Sequence, residues 1–164
     1  IVGGDSITIE QRLKEMGVEM KLLEDAVDVA AELVDGKKLK EVDTDADFRA
    51  AGENEAVVMR VNGELAMSRG ARRAVREAVR ARLEARIRAG SADAVSQFAS
   101  FHLQMLDEPD YETASIWFSI SAALGLKGTL EARDDVRDNV EDERLVDLQS
   151  EAGSIYESLN ISLD

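Results

Sequence analysis

Asp110-Tyr-Glu-Thr-Ala-Ser-Ile-Trp-Phe-Ser-Ile-Ser-Ala-Ala-Leu-Gly125 is the stretch that decides the fold class. Pro109 stiffens the entry, and the Asp110 carboxylate can accept from free N–H groups of a first helical turn. Gly125 supplies the backbone freedom that ends a helix. Between these signals Tyr111, Ala114, Phe118 and Ala122 recur at three- and four-residue spacing, one apolar stripe of a helix. Trp117 widens the stripe and reads as a wedge between helices rather than a ligand platform. Ala122 and Ala123 would let a neighbouring helix come close.

Helical punctuation continues on both sides. Ala71 to Ala89 places Ala74, Val75, Ala78, Val79, Leu83 and Ile87 on one face and arginines on the other, and Gly90 ends it. Ser91 opens the next helix, which runs to about Leu106. There Val95, Phe98, Ala99, His102 and Leu103 share a face, so His102 is expected beside the core rather than in a catalytic role. Thr129 to Asp138 and Glu141 to Leu159 complete the series.

Asp110-Tyr111, Ala114, Trp117-Phe118, Ala122-Ala123 and Gly125 resemble the second helix of a Sel1-like repeat, a relative of the tetratricopeptide repeat. Ala89-Gly90-Ser91-Ala92-Asp93-Ala94 resembles the small-residue junction that opens such a repeat. Ala132-Arg133-Asp134, Leu148-Gln149 and Ala152 resemble the helix pair that closes these arrays. The resemblance covers about Ala71 to Leu159. It departs at Ala99, where the family has a glycine, and at the short loop Met105 to Pro109. It implies an all-α fold of stacked helix-turn-helix repeats, a short solenoid. It also implies a non-enzymatic adaptor or scaffold that binds another protein. In such repeats the first helix of each pair lines the concave face, so Gln97, Ser100, Phe101 and Gln104 would face outward toward a partner. Many bacterial Sel1-like proteins are exported, so the resemblance leans toward an extracytoplasmic location over the cytoplasm. The competing class is a structural or accessory subunit of a larger, membrane-associated assembly.

The N-terminal part has a different pattern. From Thr8 to Asp35, Ile9, Leu13, Met16, Met20, Leu23, Val27, Ala30 and Val34 alternate at spacings of four and three, a heptad seam. Thr8 and Gln11 can form a capping box. Val18, Leu22, Val29 and Leu33 broaden the stripe, so residues 8–35 suit either packing within the chain or self-association. Lys37 to Glu55 is the most polar segment and reads as an acidic connector. Asp43, Asp45 and Asp47 alternate like a calcium loop, but Phe48 and Asn54 stand where that loop needs glycine and glutamate. Ala56 to Ser68 holds two readings. Asn62-Gly63 between apolar runs is a hairpin signal, whereas a repeat beginning here would need a helix, and helix is the expectation adopted. The division is then Ile1 to Glu55, a long helix plus connector, and Ala56 to Asp164, the repeat region with an acidic cap.

Composition narrows the function. A net charge of −14 argues against nucleic acid, whose affinity comes from neutralising phosphates. The charge is uneven: Ala71 to Gly90 has seven arginines against Glu77 and Glu84, a balance of +5 that leaves −19 on the remainder. Arg72, Arg76 and Arg80 on that basic helix are candidates for an acidic partner. Zero cysteines exclude disulfides and thiolate sites. A single histidine, with no HExxH, Walker or nucleophile-elbow motif, makes no catalytic, metal or cofactor site expected. No apolar run is long enough to span a bilayer.

Overall fold

The computed structural model describes residues 18–52 and 54–161. The chain is mostly helical, with one small sheet. In order it forms α1 (Val18–Asp35), β1 (Lys40–Glu41), α2 (Asp45–Ala50), β2 (Val57–Val61), β3 (Glu64–Met67), α3 (Arg69–Arg88), α4 (Ala92–Gln104), α5 (Tyr111–Ala123), α6 (Thr129–Arg137) and α7 (Leu145–Ser158). A 3₁₀ turn, Asp142–Arg144, leads into α7. The described chain divides into two compact units. One runs from Leu23 to Ala81; the other takes Arg82 onward with the segment up to Leu22.

In the unit 23–81, Ala56 to Ser68 is a hairpin and not the expected helix. Asn62 and Gly63 take φ of 52° and 84°, the pair of positive angles that a two-residue hairpin turn demands. Val58 pairs with Met67 and Val61 with Glu64 across it. Local turn chemistry outweighed the repeat pattern because Asn62 and Gly63 are weak helix formers that take positive φ readily, and a helix would lose the β-branched packing of Val57 and Val58, both buried. A two-stranded ribbon is marginal alone. Here β1 joins β2 in parallel, with Lys40 N–H donating to the Ala56 carbonyl at 2.9 Å.

The connector therefore carries structure. Thr44 caps α2, its Oγ1 accepting from Asp47 N–H at 3.1 Å, and Asp45 and Asp47 sit in the first helical turn, where negative charge is favourable. Ser68 ties the sheet to α3. Its Oγ accepts from Val57 N–H at 3.0 Å and Ala71 N–H at 3.1 Å, and donates to the Glu55 carbonyl at 2.7 Å.

On α1 the buried positions are Leu22, Asp25, Val29 and Ala30, whereas Val27 of the heptad seam is 64% exposed. The buried face joins Ala30 of the seam to Leu22 and Val29 of the broader stripe. The seam residues Ile9 to Met16 lie outside the described residues.

In the second unit α5 is the hub, with α4, α6 and α7 all packed on it. Asp110 Oδ1 accepts from Thr113 N–H at 3.1 Å to start α5. Gly125, at φ 83°, closes it while Leu126 N–H reaches back to the Ser121 carbonyl at 3.1 Å. Phe118 is fully buried at the centre of a cluster with Ala99, Ala114, Ala132 and Val136, flanked by Leu103, Tyr111 and Trp117. The small residues let the helices approach, and the phenyl ring fills what they leave. Among the described residues, no helix is long and apolar enough to cross a membrane.

Candidate protein-interaction surface

α6 and α7 both lie on α5 and barely touch each other, which leaves an open trough between them. Ser119, Ile120, Ala122 and Ala123 of α5 form its floor. Leu130 and Arg133 supply one wall, and Gln149, Ala152, Gly153 and Tyr156 the other, around a volume of about 360 Å³. Leu130 is 47% and Tyr156 41% exposed, and Val146, 77% exposed, extends the apolar wall along α7. Val146, Gln149, Gly153 and Tyr156 recur at spacings of three and four, so they share a helical face. Gly153 opens the groove further, because a Cβ there would meet nothing within 4 Å.

Two arginines order the trough. Arg137 spans the gap between the walls, its Nη2 donating to Gln149 Oε1 at 3.1 Å. Burial, and then the like charge of Arg133, hold Arg137 below the ordinary arginine range, against the opposing pull of Asp134. Arg133 is itself held by Asp134, through Nε at 3.2 Å and Nη2 at 3.1 Å. Beyond the trough, Arg144 fixes the 3₁₀ turn to α5. It donates to Glu112 at 3.1 Å and Asp147 at 3.2 Å, and the hydrogen bond to Glu112 raises its pKa.

The residues expected to face a partner lie elsewhere. Gln97, Ser100 and Phe101 are buried and Gln104 half-buried, so α4 presents no outward strip of these side chains. Ser100 Oγ donates to Gln104 Oε1 at 2.7 Å, and Gln97 Oε1 takes a long contact of 3.5 Å from Arg86. The reason is that Ala94 through His102 are buried all round the helix, and a surrounded helix has no concave face to offer. On α3, in the other unit, Arg72 is exposed and donates to the Met67 carbonyl at 3.0 Å, while Arg76 and Arg80 are half-buried. His102 is buried, with Nδ1 2.8 Å from the Phe98 carbonyl and its ring edge-on to Phe98 and Phe101. Trp117 packs edge-on against Phe98, centroids 4.9 Å apart.

Leu130, Val146, Gly153 and Tyr156 escaped the sequence reading, which took α7 as an acidic cap. A signal was present: α7 carries two apolar stripes, Leu148 with Ala152 facing the core and Val146 with Tyr156 beside them, and a helix that caps an array needs only one. Compared with known proteins, the chain matches no family model, no curated sequence and no solved structure.

Proposed function

We infer that this chain is a non-enzymatic protein-interaction module, an adaptor or scaffold of the Sel1-like type over about residues 71–159. The observation that carries this reading is the trough on α5, an open apolar groove walled by Leu130 and Tyr156 and floored by small side chains. Exposed large apolar residues gathered around a concavity favour a partner over bulk water. The interaction site moves accordingly from α4 to the α5–α7 face. Val27, exposed on α1, supports a second reading, in which the chain is an accessory subunit held in a larger assembly through that helix.

The test is an amide chemical-shift titration of the full chain with a helical peptide that is leucine-rich on one face and uncharged on the other. Shifts confined to Leu130, Gly153, Tyr156 and their neighbours are expected. Shifts clustered around Val27 would favour the subunit reading, and no shifts at either place would sink both.

A further inference from the structure

We propose that the trough receives an amphipathic helix of another protein, apolar on one face and lined with lysine or arginine along its flanks. This rests on the interaction reading above and adds the chemistry of the partner.

Shape argues for a helix. α6 and α7 occupy two positions on α5 and leave the gap between them open. Ala122 and Ala123 on the floor and Gly153 in the wall keep side chains short, so a helix backbone can settle to ordinary packing distance. The groove is built from helices whose backbone groups bond within themselves, so it has no sheet edge to which an extended strand could add. Leu130, Val146 and Tyr156 then grip the apolar face of the incoming helix.

Charge argues for basic flanks. Residues 128–161 carry ten acidic side chains against Arg133, Arg137 and Arg144. Two of these arginines are offset by carboxylates, Arg133 by Asp134 and Arg144 by Glu112 and Asp147, while Arg137 bonds to the neutral Gln149. Glu131 and Glu157 stand exposed, next in sequence to Leu130 and Tyr156 of the two walls. A second copy of this chain would bring a further −14 and the same acidic walls, so self-docking here is repelled. The chain's own basic helix α3 is no occupant either, since Val75, Val79, Leu83 and Ile87 are already buried. A cationic partner meets complementary charge and gains association rate as well as specificity.

The experiment uses the full chain and three synthetic helical peptides of about 18 residues, with one leucine face and flanks of lysine, glutamine or glutamate. Calorimetric titrations are run at about 0.05 M and about 0.3 M salt. The lysine peptide is expected to bind about tenfold or more tighter than the glutamate peptide at low salt, with the gap shrinking at high salt. Gly153→Leu, which fills the groove, is expected to abolish binding without lowering the melting temperature. The double variant Glu131→Gln, Glu157→Gln is expected to weaken the lysine preference and keep the glutamine peptide bound. Equal binding of the lysine and glutamate peptides, lost in Gly153→Leu, would overturn the charge inference and leave the interaction reading standing. Binding of no peptide would overturn both. Lysine-peptide binding unchanged in Gly153→Leu would reduce the effect to surface charge and overturn the docking site. Dimerisation by light scattering that Gly153→Leu removes would give the groove to a second copy and overturn the proposal.

Discussion

Alanine substitution at Gly70 and at Gly153 is expected to change stability in opposite directions, and the structure provides the reason for each sign. Both glycines lie in helices, where alanine is intrinsically better by about 1 kcal/mol. At Gly153 a Cβ meets nothing within 4 Å, so the helical gain is uncompensated and the variant should be about 0.5–1 kcal/mol more stable. At Gly70 the added Cβ would stand 2.5 Å from the Glu55 carbonyl oxygen, 2.8 Å from its carbon and 2.9 Å from the Asn54 oxygen. Those are backbone atoms, and they cannot rotate away. Moving Glu55 back would stretch its 2.7 Å bond from Ser68 Oγ, the same oxygen that holds Val57 N–H and caps α3 at Ala71. Overpacking of this kind costs about 1–3 kcal/mol, and weakening one hydrogen bond adds about 1 kcal/mol. Against the helical gain the net loss should be about 1–3 kcal/mol. For a chain of this size each kcal/mol moves Tm by about 2–4 °C. Thermal and urea melts followed by circular dichroism would measure both variants. If the two units melt separately, Gly70→Ala should shift the transition of the 23–81 unit alone. A neutral or stabilised Gly70→Ala would refute the close approach of Glu55, and a destabilised Gly153→Ala would refute the open groove.

Three further outcomes are expected. Ser68→Ala removes the cap of α3 and leaves Val57 N–H without its acceptor, so urea denaturation should show a loss of about 2 kcal/mol. Asn62→Ala puts an alanine at φ 52° and should cost about 1 kcal/mol, while Asn62→Gly should be tolerated; a melt of the two side by side checks the turn. Arg144→Lys loses the forked contact with Glu112, so its Tm should fall below that of the unmodified chain in low salt and converge with it at about 1 M salt. Equal Tm values in low salt would mean the contact does not hold the 3₁₀ turn.

The starts and stops of α4 and α5 were legible in the sequence because their causes are local. Ser91 and Asp110 hydrogen-bond to N–H groups three residues on, and Gly125 turns the chain within its own backbone. Asn62-Gly63 was equally local and equally legible. Repeat logic displaced it, and the positive φ angles show that the two residues in hand were the better guide. Asp45 and Asp47, read as a solvated loop, begin a helix because Thr44 one residue earlier caps it.

Which faces of the helices stay uncovered is another matter. Gln97 and Ser100 are polar and were assigned to solvent, yet a helix surrounded by neighbours buries polar side chains too when they find partners, as Ser100 does with Gln104. The groove has no local cause at all. It exists because α6 and α7 rest side by side on α5 with little contact between them, a consequence of how three helices pack. The constraint on Gly70 likewise comes from a carbonyl fifteen residues earlier in the chain. Element type and boundaries were set within a few residues along the sequence, by caps, turns and periodicity. Burial, groove and close contact arise from residues far apart in sequence, so tertiary structure alone decided them.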